Sequence, residues 1–232
     1  DIRGAAVELD VMGTGANLAV GVAQLDAALA GETTFTATGR QEGALIRLDE
    51  ARAANRQLNA TASGVYGTGQ TDIRAELSVP GLGFAGSGYS GNVNATALIL
   101  DVAEGRRITA NAVANGLGIG NDRVDSLMRG QTTADIVLLQ RDGGNVVQRL
   151  NARNPQLQVI ADGDPAQGLN LDARLSDLSS LLPGITGPAQ AVGTVQQFDG
   201  GTRLDIAVTA PGGTRAQIVG DIAGEATDLR VA

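Results

Sequence analysis

The sequence contains no cysteine, histidine, lysine or tryptophan. Without cysteine, disulfides, thiolate chemistry and cysteine-based zinc sites are excluded together. Without histidine, the chain lacks the usual general base of nucleophilic catalysis and the commonest zinc ligand. Without lysine, a Walker A phosphate-binding loop is excluded as well. Because only carboxylates remain for acid–base chemistry, we expect a protein that is not an enzyme and that uses neither a cofactor nor a metal.

Large side chains are also scarce, with three phenylalanines and two tyrosines among 232 residues, whereas glycine occurs 33 times. An interior built from such residues is thin and lined by small aliphatic groups, which argues against a compact globule.

The net charge of −8 is spread along the chain, and all 17 basic residues are arginines that form no cluster. Nucleic acid is therefore not an expected partner. No apolar run approaches the roughly 18 residues of a membrane span.

One stretch of the sequence occurs twice. Residues 26–64 align without a gap on residues 125–163 at an offset of 99, with 11 identities in 39 positions, Asn55/Asn154 among them. The similarity continues as Ile73, Ala75 and Leu77 return as Leu171, Ala173 and Leu175, at an offset of 98. Further on, at Ile108 and Leu204, the offset is 96. We therefore predict the end of a truncated cycle over 1–24 and two repeat cycles over 25–123 and 124–232 in one continuous β-structure.

Strict alternation of apolar and polar residues follows each repeat start, as in TDIRAELSV, and turn signals such as GRQEG separate the runs. The pattern predicts about a dozen strands of about 5 to 9 residues in sequential antiparallel order. Short helices are expected before the strands, one of them capped by Asn121 or Asp122. The predicted fold is all-β, an elongated repetitive sheet curled into an open trough, with one or two short helices per cycle.

Each predicted strand offers one apolar face, but few side chains have the bulk to cover it. The trough would therefore have an apolar inner wall, and the small alanine side chains in it would leave room for a ligand. The residues predicted to line this groove are Leu58, Ala60, Ala62, Ile73, Ala75, Leu77, Ile108, Ala110, Ala112, Leu157, Val159, Ala161, Leu171, Ala173, Leu204, Ile206 and Val208.

The segment NLDARLSDLSSLLPGITGPAQAVGTV, Asn170 to Val195, joins an alternating strand to a short helix opened by Ser176 and Asp177, a Pro-Gly turn and a new strand. It resembles the recurring "LaDLaaLLPGlsGp" insertion of the TamB proteins, long AsmA-like components of Gram-negative envelopes. The resemblance implies an internal segment of a longer, inner-membrane-anchored protein that spans the periplasm as a taco-like β-trough. It further implies phospholipid acyl chains as cargo, TamA as the outer-membrane barrel partner, and a role in outer-membrane protein assembly.

Two other readings of the pattern remain open. A self-filled β-solenoid, serving as an adhesin stalk or passenger domain, would have coils of about 20 to 25 residues and a dry core. A β-helical polysaccharide-degrading enzyme would need a carboxylate cluster and aromatic platforms, and a sequence with only two tyrosines disfavours it.

Gly81, Gly83 and Gly86 match a dinucleotide-binding spacing but precede a predicted strand where that site needs a helix. Asp162 and Asp164 fit turn residues better than calcium ligands.

Overall fold

In the computed structural model, residues 6–19, 23–142, 144–223 and 226–231 are described. The chain divides into two compact units, Asp1–Gly120 and Asn121–Ala232, here called the first and second units. The predicted boundaries between cycles, at residues 24/25 and 123/124, fall inside the two short α-helices rather than between elements.

The first unit is a sheet of β-strands with one α-helix and one 3₁₀-helix. Its elements are β1 (Val7–Ala16), α1 (Ala23–Ala28), β2 (Glu32–Glu42), β3 (Leu45–Ala54), β4 (Asn59–Tyr66), β5 (Asp72–Val79), a 3₁₀-helix (Gly83–Ala85), β6 (Tyr89–Val102) and β7 (Gly105–Ile119).

The second unit follows a similar order. Its elements are α2 (Asp122–Leu127), β8 (Gln131–Arg141), β9 (Gly144–Arg153), β10 (Leu157–Asp164), β11 (Gly168–Leu175), a 3₁₀-helix (Leu178–Ser180), β12 (Ala189–Phe198), β13 (Gly201–Ala210), a 3₁₀-helix (Pro211–Gly213), β14 (Thr214–Ala223) and β15 (Ala226–Val231).

Within each unit, every strand pairs in antiparallel register with its neighbours in the chain. The all-β prediction is confirmed. The coils of about 20 to 25 residues expected of a solenoid would stack one above the next, whereas these ladders join hairpin partners. The strand number is near the predicted dozen, but most strands are longer than the predicted 5 to 9 residues. The structure has strands β1 to β15, and the longest, β7, has 15 residues because the β6–β7 hairpin continues through positions where glycine and asparagine interrupt the apolar pattern.

Little of either unit is buried, as the scarcity of large side chains predicts. In the first unit, a cluster of Ala28, Leu58 and Val79 lies where α1 meets one margin of the sheet. Leu82 and Phe84, from the segment of the 3₁₀-helix, pack against it. In the second unit, Leu139, Ala161 and Leu175 are the buried apolar residues among those described. In the described part of the chain, Ala114 is the one further buried apolar residue, so most apolar side chains of the strands stay partly exposed.

Asn55 and Asn154 hold the same turn in the two units. The Asn55 side-chain amide donates to Ala28 O at 2.9 Å and to Thr33 Oγ1 at 3.0 Å, and its Oδ1 accepts from the backbone N–H groups of Gln57 and Leu58 at 2.8 Å. Asn154, 99 residues later, makes the corresponding bonds. Its side-chain amide donates to Leu127 O at 2.8 Å and to Thr132 Oγ1 at 3.4 Å, and its Oδ1 accepts from the backbone N–H groups of Gln156 and Leu157 at 2.8 Å. Each asparagine thus joins the helix, the start of one strand and the start of another.

A second feature recurs at the same spacing. The ladder between β2 and β3 shifts register between Thr38 and Gly39, and the ladder between β8 and β9 shifts between Val137 and Leu138. These positions differ by 99 residues. A bulge of this kind increases the local twist of the strand pair, so both hairpins are bent at the same place.

The offset of 98 predicted for the next strand is wrong. Ala75 lies opposite Ala62 in the first unit, and Leu171 lies opposite Ala161 in the second. Structurally corresponding residues on β5 and β11 therefore differ by 96. The reason is the preceding turn, which occupies residues 67–71 in the first unit and only 165–167 in the second. The alternation period of two hides such a shift, because a slip of two residues keeps every side chain on its face.

The predicted helix starts are confirmed at two positions. Asn121 caps α2, accepting from Arg123 N at 3.2 Å and Val124 N at 3.3 Å. Asp177 caps the 3₁₀-helix of Leu178–Ser180 by accepting from Ser179 N at 3.0 Å. Both caps satisfy backbone N–H groups that a short helix leaves free.

Candidate functional site

One face of the first unit carries a row of alanines that crosses its strands. The register pairs these residues side by side on one face of β2 to β7. We call this set the alanine row: Ala37, Ala51, Ala62, Ala75, Ala97 and Ala110. At about 4.8 Å between strands, the row is about 24 Å long. Its small side chains make the floor of the face low along that line.

The rows on either side of the alanine row are larger. On one side, Gly64, Ile73, Ile99 and Ile108 lie opposite one another on successive strands. On the other side, the register brings together Phe35, Ala53, Ala60, Leu77, Ala95 and Ala112. The isoleucines and the Phe35 ring therefore stand above the alanine floor. The result is a shallow groove with raised borders.

An open cavity of about 580 Å³ lies on this face. All six residues of the alanine row line it, together with Phe35, Ala53, Ala60, Leu77 and Ala95. Its size falls within the range of small-molecule sites, which are commonly about 300–1,000 Å³. The lining also includes Thr36, Arg52, Thr61, Glu76 and Thr96, but nearly all of the exposed wall surface is apolar, so the cavity suits a hydrocarbon better than a polar ligand.

The opposite face of the same strands is polar. On β5, the side chains of Asp72, Arg74 and Glu76 are exposed, while those of Ile73 and Ala75 are half-buried. A second open cavity of about 440 Å³ on the first unit is lined by Arg52, Glu76 and the asparagines Asn59, Asn94 and Asn111. The two faces of one sheet thus differ in chemistry as the alternation predicts.

The second unit has a corresponding apolar face with larger side chains. Ile136, Leu150, Ala161, Leu171, Gly193 and Ile206 lie opposite one another on β8 to β13. The neighbouring row contains Ala152, Val159, Ala173, Ala191 and Val208. Leu204 lies in a third row, with Val195 and Leu169.

The structure places every predicted groove residue on the apolar face of its own unit. Ala60, Ala62, Ala75, Leu77 and Ala110 line the cavity. Ile73 and Ile108 form its border, and Ala112 lies beside Ala95. The second-unit residues are Leu157, Val159, Ala161, Leu171, Ala173, Leu204, Ile206 and Val208.

Leu58 and Ala161 are the exceptions in burial. Leu58 is 6% exposed because it packs in the cluster with Ala28 and Val79, so it supports the margin of the sheet and does not line the cavity. Ala161 is 1% exposed. It lies between Leu150 and Leu171 on the neighbouring strands, whose larger side chains cover it.

Six apolar residues of the cavity are not among those predicted from the sequence: Phe35, Ala37, Ala51, Ala53, Ala95 and Ala97. The signal was present. Ala95 and Ala97 occupy alternate positions of the predicted strand NVNATALIL, and Phe35 and Ala37 do so in TTFTAT. Assigning these residues to the cavity requires the strand register. Where both faces of a strand carry small or polar residues, alternation alone does not show which face is buried.

The most strongly shifted carboxyl group lies away from the groove. The pKa of Asp101 is lowered to about 2, first by the backbone N–H of Thr71, which donates to it at 3.0 Å, and then by the Arg106 guanidinium at 2.9 Å. Arg106 also donates to Thr71 Oγ1 and lies over the Tyr66 ring. This cluster ties the β4–β5 turn to the β6–β7 hairpin, and it is a structural contact rather than a proton-transfer site.

Among the described residues, no group of acidic side chains is arranged to hold a metal ion. No helix in that part of the chain is long and apolar enough to cross a membrane. Comparison of the chain with models of protein families, with curated proteins and with solved structures finds no match.

Proposed function

We propose that the chain is part of a non-enzymatic conduit for phospholipids, in which the apolar faces form the inner wall of an open trough. The observation that carries this proposal is the open cavity of about 580 Å³, which has an alanine floor and is lined by no second layer from the described part of the chain. An acyl chain supplies the missing layer.

The energetics favour a hydrocarbon in this position. Each methylene transferred from water to an apolar surface gains about 0.8 kcal/mol. The alanine row, at about 24 Å across the strands, is longer than one leaflet of a bilayer, which is about half of a 30 Å hydrocarbon core. An acyl chain therefore fits along the row without leaving its end in water.

The repeat supports an extended conduit. Asn55 and Asn154 make the same set of hydrogen bonds 99 residues apart, and the bulges of the two units have the same spacing. We interpret the units as two successive cycles of one repetitive β-structure, after the end of an earlier cycle at residues 1–24. Adding cycles lengthens the wall without changing its chemistry.

The cellular setting comes from the resemblance of Asn170 to Val195 to TamB proteins. On that basis, the proposed location is the periplasm, as part of an inner-membrane-anchored protein. The proposed cargo is phospholipid moving between the inner and outer membranes, and the proposed partner is the barrel protein TamA. A role in outer-membrane protein assembly belongs to the same proposal.

Site-specific photo-crosslinking tests the groove. A photoreactive residue at Ala60 or Ala110 is expected to capture phospholipid in cells, because both positions line the cavity. The control position is Arg74, which lies on β5 with its side chain exposed on the opposite face. Lipid adducts are detected by mass spectrometry of the purified chain.

Equal capture at Arg74 and Ala110 would mean that lipid contacts the protein nonspecifically. Absence of lipid at both groove positions, with the protein folded, would refute the conduit. Uptake of a fluorescent fatty acid by the purified chain gives an independent measurement outside the cell.

A further inference from the structure

The loop between β11 and β12 of the second unit is closed firmly at its base. Asp177 Oδ1 accepts hydrogen bonds from Ser179 N and from Gly187 N, both at 3.0 Å. The backbone N–H of Leu178 donates to Gly187 O at 2.8 Å. These bonds join the two ends of the loop, so the residues between them are held in a fixed arrangement.

The tip of this loop is a tight turn with two exposed aliphatic side chains. Ile185 N donates to Leu182 O at 3.1 Å, with Pro183 and Gly184 between them. Gly184 has φ of 95°, as the third position of a type II turn requires. The side chains at the two ends of the turn remain in water: Leu182 is 46% exposed and Ile185 is 44% exposed.

The loop carries no charge. Residues 178–188 contain only leucine, isoleucine, serine, threonine, proline and glycine. The corresponding loop of the first unit is also uncharged, but its Leu82 and Phe84 pack inward against the cluster of Ala28, Leu58 and Val79. In the second unit Leu182 and Ile185, at the tip, are instead nearly half exposed.

We propose that the Leu182–Ile185 turn inserts into the interfacial region of a lipid bilayer. Two side chains offer far less area than the roughly 800 Å² per partner of a stable protein interface. A bilayer requires no complementary surface, and it accepts short uncharged apolar segments at the boundary between headgroups and acyl chains. This proposal concerns the outside of the protein and stands independently of the groove.

A single tryptophan gives a direct test, because the chain has none of its own. With Leu182→Trp, phosphatidylcholine vesicles are expected to shift the emission to shorter wavelength, and brominated lipid is expected to quench it. The matched control is Val192→Trp on β12, since Val192 is 45% exposed but lies on a strand of the same unit. Its emission is expected to stay unchanged. No shift at Leu182→Trp, or an equal shift at both positions, would overturn the proposal.

Vesicle co-sedimentation of the unlabelled chain gives the second measurement. Leu182→Ser and Ile185→Ser are each expected to lower the partition coefficient about fivefold. About half of each aliphatic side chain is exposed, and only that half can contact the lipid and be lost from it. Val192→Ser is expected to leave it unchanged. The chain has a net charge of −8, so binding to neutral vesicles should be at least as strong as to anionic ones. Binding that requires anionic lipid, or that survives both serine substitutions, would overturn the proposal.

Discussion

The two units build the same backbone frame and line it with side chains of different size. The first unit has alanine at each position of the alanine row, from Ala37 to Ala110. The corresponding positions of the second unit are Ile136, Leu150, Ala161, Leu171, Gly193 and Ile206. The comparison separates two structural effects. The hydrogen bonds of Asn55 and Asn154 hold the backbone in the same arrangement in both units, and the volume of the side chains on the apolar face determines how deep the groove is.

The strongest test of the shared frame removes the asparagines. Asn55→Ala is expected to lower the free energy of unfolding by about 2–3 kcal/mol, because two backbone N–H groups and one carbonyl lose a partly buried partner. Asn154→Ala is expected to cost less, since its bond to Thr132 is longer than that of Asn55 to Thr33, at 3.4 Å against 3.0 Å. Urea titration measures both.

If either substitution leaves the unfolding free energy within error, the asparagine does not stabilise the frame. Asn55→Asp is a useful control, because it keeps the acceptor for the N–H groups of Gln57 and Leu58 and removes only the donor.

The next test changes side-chain volume without touching the frame. The double variant Ala62→Leu, Ala97→Leu gives the alanine row a bulk like that of the second unit. It is expected to weaken fatty-acid binding about tenfold, because it displaces on the order of two methylenes from the floor. The measurement is fluorescence titration with a fatty-acid probe.

The matched control is Ser63→Leu, Asn94→Leu, which adds leucines to the same strands on the opposite face. There Ser63 lies beside Arg74 and Asn94 beside Ser78, and neither residue lines the cavity. Binding should be unchanged in this variant. Equal losses in the two double variants would show that the effect comes from the sheet and not from the groove.

A smaller effect is expected from pH. The folded-state pKa of Asp101 is about 2, below its ordinary value of 3.8. Its carboxylate therefore stabilises the fold fully above pH 3.8, and the contribution is lost as the pH falls towards 2. Between pH 4 and pH 2, the thermal midpoint of Asp101→Asn should fall less than that of the parent chain. The second unit should retain its acid sensitivity, since the pKa values of Asp172, Asp177 and Asp221 are lowered too.

A parallel pH profile for Asp101→Asn and the parent would mean that the contact with Thr71 and Arg106 does not contribute to stability. Circular dichroism at fixed ionic strength is the appropriate readout, because salt screens exposed ion pairs.

The fold class and the apolar faces follow from the sequence because alternation is a local property. Leu77 and Ala75 point to one side of β5 whatever strand lies next to it. Register is not local. The turn before β11 has three residues and its counterpart before β5 has five, and the alternation of LNLDARLS is the same after a slip of two. Sequence comparison therefore gave 98 where the structure gives 96.

The cavity was only partly predictable for a similar reason. Ala60 and Ala62 were found because they occupy a clean alternating run. Ala51 and Ala53 lie in DEARAA, where charged residues interrupt the apolar pattern. Leu58 was misassigned, because α1 covers that end of the strand, and no pattern within β4 reveals a helix that packs on it.

The pairing of each strand with its neighbours in the chain also bears on how the protein is made. Each hairpin can form as soon as its second strand emerges, so a growing chain never waits for a distant segment, and contacts stay close in sequence. A growing chain can therefore fold progressively from one end, with only the edge of its newest strand unpaired. Gain or loss of one hairpin would change the length by about 10 Å and leave the remaining strands in register.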